Sequence, residues 1–108
     1  MARKTSKKQE NNFKEFKFDG QEFQFTGRIY PDLATETKNA TITQMSLTLN
    51  GVLTIKGCRL FQTDKNAWIA GPDYKAKDGE YKSYLFWDKE YNEELDKLVE
   101  EVEKVLEA

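Results

Sequence analysis

Apolar and polar residues alternate along most of the first 87 residues, which is the pattern of β-strands that bury one face. The first predicted hairpin turns at Asp19-Gly20, and its second strand is expected to end at Tyr30-Pro31. Residues 35–39 are polar and are predicted to form a connection. The apolar positions on the two sides of this turn are Phe16, Phe18, Phe23, Phe25 and, after Gly27, Ile29.

A second hairpin is the clearest local signal in the chain. Its turn is Asn50-Gly51, two residue types that adopt the positive φ angles of a two-residue type I′ turn. Alternation continues on both sides of this turn, at Met45, Leu47, Leu49, Leu53 and Ile55. Two breaks in the alternation, which predict β-bulges, lie between Ile42 and Met45 and, across Gly57, between Ile55 and Cys58.

Shorter elements are predicted further along the chain. A turn over residues 63–66 precedes a short strand, Trp68–Ala70, which ends at Gly71-Pro72. A loop from Asp73 to Gly79 then leads to a last strand, Tyr81–Trp87, with apolar or aromatic residues on both faces.

The C-terminal segment predicts one helix, over about residues 89–107. Its apolar residues recur every three or four positions and therefore form one stripe. Asp88 is placed to be the N-cap, and acidic residues in the first turn suit the positive end of the helix dipole. The residues of the stripe are Tyr91, Leu95, Leu98, Val99, Val102, Val105 and Leu106.

These elements predict an α+β fold, a small twisted antiparallel β-sheet followed by one C-terminal amphipathic α-helix. Residues 13–108 are expected to form a single domain, and residues 1–12 a disordered basic tail. The residues expected to fill the core of the sheet are Phe16, Phe18, Phe23, Phe25, Leu47, Leu49, Leu53 and Ile55.

The composition excludes most kinds of catalytic site. The 108 residues include no histidine and one cysteine, Cys58, so neither a histidine base nor a cysteine-rich zinc site can be built. No glycine-rich phosphate loop is present, and most carboxylates fall on the solvated face of the predicted helix or beside turn glycines instead of in a cleft. We therefore expect a protein that is not an enzyme and needs no metal or other cofactor. With no membrane span and no apolar run after the basic start, a cytoplasmic location is expected.

Charge is divided along the chain. The segment from Asp88 to Ala108 holds nine acidic residues and three lysines, a net charge of -6. The preceding residues hold 14 basic and 10 acidic residues, a net charge of +4. The overall charge of -2 is thus a poor guide to partners.

Lysines and tyrosines are interleaved between Trp68 and Tyr84. Lysines neutralise phosphates and tyrosine rings stack on bases, a combination found in proteins that bind single-stranded nucleic acid. The same composition also suits a solvated loop with no binding role. The N-terminal basic residues are compatible with an arm that strengthens nucleic-acid binding without reading sequence, and equally with a solubilising tail. The candidate binding residues of this stretch are Tyr74, Lys75, Lys77, Lys82 and Tyr84.

The order of several short pieces resembles the stage V sporulation protein G family, which comprises small bacterial septation and sporulation regulators. The resemblance covers about residues 40–87 and lies in the order and spacing of the pieces, since none is specific alone. The pieces are Ser46-Leu47-Thr48-Leu49-Asn50-Gly51, Cys58-Arg59-Leu60, Trp68-Ile69-Ala70-Gly71-Pro72 and Lys75-Ala76-Lys77-Asp78-Gly79-Glu80-Tyr81-Lys82.

This resemblance implies a dimer with exchanged elements that binds nucleic acid without catalysis. Arg59, Lys75 and Lys82 occupy basic positions of the family pattern. Tyr74 stands where the family commonly has a further base, and Tyr84–Trp87 replaces a usual histidine-proline pair. These departures indicate a distant relative, from a bacterium, a phage or another mobile element, and weaken the expectation of a sporulation role.

Three hypotheses about function follow. The first is a homodimeric regulatory protein that binds DNA or RNA through Arg59 and the basic, aromatic loop. The second is a protein-protein adaptor that acts through the acidic helix or a sheet edge. The third is a single-stranded DNA-binding protein that reads no sequence.

Overall fold

A computed structural model describes residues 12–108 of the chain. Except for Asn12, the predicted basic tail lies outside the described residues. Five antiparallel strands form one sheet in chain order, and two short strands form a separate hairpin. A 3-10 turn, Lys89–Tyr91, leads into the helix, α1 (Asn92–Glu107). The strands are β1 (Lys14–Asp19), β2 (Gln24–Glu36), β3 (Thr41–Leu49), β4 (Leu53–Gln62), β5 (Ala67–Ala70), β6 (Asp73–Lys75) and β7 (Tyr81–Ser83).

This arrangement confirms the predicted α+β fold, and the turn between β3 and β4 shows how local chemistry sets the register. Asn50 and Gly51 have φ angles of 51° and 69°, as a type I′ turn requires. Leu49 consequently pairs with Leu53, and Leu47 with Ile55. The apolar residues of both strands therefore lie on one face.

Two irregularities bend the central strands. At Gly57, whose φ is 86°, two residues of β4 lie opposite Ser46 alone, and this confirms the predicted bulge. Near Ile42 the pairing of β3 with β4 is regular, and the extra residues lie in β2 instead. There the paired residues change from Tyr30 to Thr35, which leaves four residues of β2 opposite Thr43.

Two predicted strand ends are wrong. β2 does not end at Tyr30-Pro31 but continues to Glu36, because Pro31 interrupts the pairing only locally. The polar connection is correspondingly short, and Thr37 closes it by donating its N–H to the carbonyl of Ala40 at 2.8 Å. The last strand, predicted over 81–87, ends at Ser83 because its only partner is the three-residue strand β6.

The core lies between one face of the sheet and the apolar stripe of α1. The stripe was predicted correctly, and its central residues, Leu98 and Val102, are fully buried. One predicted core residue is wrong: Leu53 is 55% exposed, because it adjoins the tight turn, beyond the packed centre of the sheet. Phe18, Phe23, Leu49 and Ile55 pack around the core but remain partly exposed. The fully or nearly buried apolar side chains are Phe16, Phe25, Ile29, Met45, Leu47, Cys58, Leu60, Leu98, Val99 and Val102.

Hydrogen bonds fasten both ends of α1 to the first hairpin. Near the start of the helix, the Glu94 carboxylate accepts the backbone N–H of Phe23 at 3.1 Å and that of Glu22 at 3.3 Å. At its end, Lys14 Nζ donates to the carbonyl oxygens of Leu106 at 3.2 Å and Ala108 at 2.7 Å. The predicted N-cap does not form, since Asp88 precedes the 3-10 turn and its side chain makes no capping hydrogen bond.

Candidate nucleic-acid interface

The candidate residues are concentrated on the β6–β7 hairpin, which is a two-stranded sheet separate from the five-stranded one. Tyr74 pairs with Lys82 and Lys75 pairs with Tyr81. The turn is closed by backbone hydrogen bonds, from Ala76 N–H to the Glu80 carbonyl and from Gly79 N–H to the Ala76 carbonyl. The hairpin is therefore held together by hydrogen bonds within its own residues, 73–83.

One face of the hairpin gathers three of the predicted side chains. Tyr74 and Lys82 are cross-strand partners and so share a face, and Tyr84, just beyond the end of β7, brings its ring against that of Tyr74. The rings of Tyr74 and Tyr84 have centroids 4.8 Å apart and an interplanar angle of 43°. Both rings remain accessible, with 40% and 65% of their surfaces exposed. This face offers two adjacent aromatic rings and one cation to a ligand.

The other two predicted lysines lie elsewhere on the hairpin. Lys75 is on the opposite face with Tyr81, and Lys77 is in the turn; both lysines are exposed. Lys82 Nζ is 3.7 Å from Asp78 Oδ2, an ion pair in which both side chains are about half exposed. Such a pair contributes little stability and is weakened by salt, so Lys82 remains available to a phosphate.

Arg59 has a different environment from the lysines. Its Nη2 donates to Asp73 Oδ2 at 2.9 Å and to the Gly71 carbonyl at 3.2 Å, and its side chain is partly buried. The guanidinium also lies 5.3 Å from the ring centre of Phe61. Arg59 thus links β4 to the beginning of the hairpin, and its observed partner is a carboxylate.

Exposed apolar residues on and beside this hairpin belong to no site predicted from the sequence. Phe86 is 84% exposed, and Trp68, Tyr81 and Leu85 are exposed to smaller extents. A cleft of about 320 Å³ lies between β5, residues 83–87 and the first half of α1. The sequence signal for this exposed patch was the apolar residues on both faces of segment 81–87. One core can bury only one face of a strand, so the residues of the other face stay exposed.

Charge separates the two sides of the molecule. Arg59 lies on the sheet face opposite α1, as its neighbours Cys58 and Leu60 are buried beneath the helix. The acidic helix therefore lies across the sheet from the Arg59 side chain, whereas Gly71 and Ser83, at the base of the hairpin, line the same cleft as Asn92 and Asp96 of the helix. At the start of the helical segment, the charge of Glu90 is the main cause that raises the pKa of Tyr91.

The lone cysteine is unsuited to chemistry at neutral pH. Cys58 is 2% exposed, and burial raises the pKa of its thiol from 9.0 to about 11, partly offset by the nearby charge of Arg59. Within residues 12–108, no group of three or more cysteine, aspartate or glutamate side chains is arranged to hold a metal ion. None of the helices described in this range is long and apolar enough to cross a membrane.

No protein-family model matches the chain, and no curated protein or solved structure matches it either. The resemblance to the stage V sporulation protein G family therefore stays a prediction. Any functional conclusion rests on the geometry of the described residues.

Proposed function

We propose that the protein binds nucleic acid through the β6–β7 hairpin and carries out no chemical step on it. The observation that carries this proposal is the cluster of Tyr74, Lys82 and Tyr84 on one exposed face of the hairpin. Lys75 and Lys77 add two exposed positive charges within the same eleven-residue segment, 74–84.

The chemistry of these side chains suits the two parts of a nucleotide. Lysine ammonium groups displace counterions from phosphates, which supplies affinity without sequence reading. A tyrosine ring that stacks on a base contributes about 1–3 kcal/mol. Arg59 supports the hairpin through Asp73, and we propose that it acts as a positioning residue.

A salt-dependent binding titration tests this function. Fluorescence anisotropy would be measured with labelled single-stranded and double-stranded DNA and RNA at several salt concentrations. Phosphate contacts predict an affinity that falls steeply as salt rises. No binding to any of the four probes at low salt would overturn the proposal.

A matched pair of triple variants locates the contacts. Replacing Lys75, Lys77 and Lys82 by glutamine removes three charges from the hairpin, and the slope of log affinity against log salt should fall in magnitude by about 2–3. The control removes the same charge from the exposed lysines of the helical segment, Lys89, Lys97 and Lys104. This control should leave the slope unchanged, and equal effects of the two variants would contradict a binding site on the hairpin.

Variants of Tyr81 and Tyr84 distinguish a specific stacking contact from a general effect of removing an exposed ring. Tyr81 and Tyr84 have similar exposure, 69% and 65%, but Tyr84 contacts the ring of Tyr74, whereas Tyr81 pairs with Lys75 on the opposite face. Tyr84→Ala should lower the affinity about fivefold or more, whereas Tyr81→Ala should have a smaller effect. A larger loss with Tyr81→Ala would place the ligand on the other face.

A protein-protein adaptor is the second candidate, and exposed Phe86 with neighbouring Leu85 favours it. Strand β5, at the edge of the sheet, also presents the exposed ring of Trp68. Pull-down after nuclease treatment, with Phe86→Ser as the control, distinguishes this function from nucleic-acid binding. The proposed homodimer is tested separately by the mass of the protein in solution.

A further inference from the structure

The face of the sheet that α1 leaves open forms a polar groove of about 850 Å³. Its floor is unusual because small hydroxyl and amide side chains follow one another across neighbouring strands. In the register of the sheet, Thr26 lies beside Thr48 and Thr48 beside Thr54, with Gln44 and Ser46 along the same face of β3. These groups donate and accept hydrogen bonds but carry no charge.

The charged residues of the groove are mainly basic. Lys17, Arg28 and Lys56 line it together with one acid, Glu15. Within residues 12–108, the groove holds one ion pair, from Arg28 Nε to Glu15 Oε2, which is 3.8 Å long and largely exposed, so it neutralises Arg28 weakly. Because α1 occupies the other face of the sheet, its carboxylates lie away from this groove.

Aromatic rings stand at both ends of the open face. At one end, the Phe13 and Tyr30 rings are 6.0 Å apart, and the Arg28 guanidinium is 4.3 Å from the centre of Phe13. At the other end, the rings of Phe61 and Trp68 are stacked at 5.3 Å with an interplanar angle of 4°. Phe13 is 43% and Trp68 is 44% exposed, so each pair presents an accessible ring surface.

We propose that this groove is a second binding surface, and that its ligand is single-stranded nucleic acid. The strand would cross the sheet from the Phe13–Tyr30 pair to the Phe61–Trp68 pair and continue onto the hairpin, which Arg59 attaches to the same face. The inference rests on the proposed function and specifies its substrate class.

The chemistry of the groove favours a single strand over a duplex. Stacking needs a base whose faces are free of neighbours, and hydroxyl groups on a sheet floor reach base edges only when those edges are unpaired. The basic rim complements a phosphate backbone. The acidic helix of another copy of the protein would not provide groups that stack on the aromatic rings at the two ends of the open face. Crossing five strands spaced about 4.8 Å apart covers roughly 19 Å, enough for a short oligonucleotide.

Groove variants compared with hairpin variants test the inference. The probes are labelled oligothymidylate of about 16 nucleotides, within the usual range for small single-strand binders, and a duplex of equal length. Lys17→Gln with Lys56→Gln should reduce the salt slope for the single strand by about 1–2. Tyr30→Ala, at a ring that lines the groove, should weaken single-strand binding about 5- to 100-fold, whereas Phe86→Ala, at an exposed ring outside the groove, should not.

The outcomes separate this inference from the function on which it rests. Loss of binding with the hairpin triple variant, but none with the groove variants, would overturn the groove and retain the hairpin. Loss with the groove variants alone would retain the groove and overturn the hairpin. Equal affinity for duplex and single strand would overturn the single-strand assignment. No nucleic-acid binding, with a nuclease-resistant protein partner lost on Lys17→Gln and Lys56→Gln, would overturn both.

Discussion

The two faces of the five-stranded sheet have different roles, because alternate residues of the same strands point to opposite faces. On the covered face, Met45 and Leu47 of β3 are buried beneath the helix. On the open face, their neighbours Gln44, Ser46 and Thr48 line a polar groove with a basic rim. Burial of apolar groups stabilises the fold, while the polar face adds little to stability and is left available for a ligand.

The same contrast explains the choice of threonine on the open face. Threonine is β-branched and suits a strand, yet its hydroxyl remains able to bind a ligand. Thr48 and Thr54 are joined across the strands by a hydroxyl hydrogen bond of 2.8 Å. The open face therefore keeps strand propensity without creating an exposed apolar surface.

The largest expected effect is a substitution at the centre of the covered face. Leu98 of α1 is fully buried, so Leu98→Ala should lower the free energy of unfolding by about 2–5 kcal/mol, measured by urea denaturation. The control is Leu53→Ala, at a half-exposed leucine, and its cost should be below about 1 kcal/mol. Equal costs would show that the helix does not close the core.

The pH dependence of the free energy of unfolding should give a second measure of burial on the covered face, through the thiol of Cys58. Because burial raises the pKa of Cys58 to about 11, the folded state retains the thiol proton after the unfolded chain has lost its own. Its contribution to stability is complete below about pH 9 and falls as the pH rises towards 11, by roughly 2–3 kcal/mol. Unfolding would be measured over this range for the wild type and for Cys58→Ala.

Subtraction of the two curves removes the titration of the lysines and tyrosines, which both proteins share. The Cys58→Ala variant should start less stable and lose less stability above pH 9. Parallel curves would contradict burial of the thiol. Slow reaction of the folded wild type with a thiol reagent would provide a second measure.

A smaller effect is expected where the helix is fastened to the first hairpin. Glu94→Ala removes the acceptor of the Phe23 and Glu22 N–H groups and should cost about 1–2 kcal/mol in thermal unfolding. Glu93→Ala removes an exposed carboxylate one residue earlier and serves as the control. Similar losses for both would indicate a general charge effect instead of the hydrogen bonds.

The smallest effect should come from the open face. Thr48→Val removes the hydroxyl bond to Thr54 but keeps the branched shape, and should cost less than about 1 kcal/mol by urea denaturation. Thr54→Val is the matched change, and the double variant should cost little more than either single one because both remove the same bond. A cost as large as that of Leu98→Ala would break the contrast between the two faces.

Sequence reasoning predicted the elements that have strong local causes. The Asn50-Gly51 turn, the bulge at Gly57 and the apolar stripe around Leu98 and Val102 each follow from residue chemistry or spacing. The continuation of β2 beyond Pro31 could not be predicted in this way, since its pairing depends on a neighbouring strand.

The candidate site was predicted in part for the same reason. The interleaved residues of 74–84 were visible, but their division between two faces required the pairing of Tyr74 with Lys82. The contact from Arg59 to Asp73 joins residues on different strands, so no local sequence pattern predicts it. The groove was not predicted, because Thr26 and Thr48 become neighbours only when β2 pairs with β3, although the Asn50-Gly51 turn already places Thr48 opposite Thr54.

The contact between Lys14 and the end of α1 has a consequence for the order of folding. Lys14 is separated along the chain by 92 residues from Leu106 and by 94 from Ala108, whereas the hairpins of the sheet join residues close in sequence. Closing such a long loop costs more chain entropy than forming a turn, so the hairpins are expected to form before the helix docks. On a ribosome, the buried face would stay uncovered until the last residues of the helix emerge, and a chaperone would meet an apolar sheet until that moment.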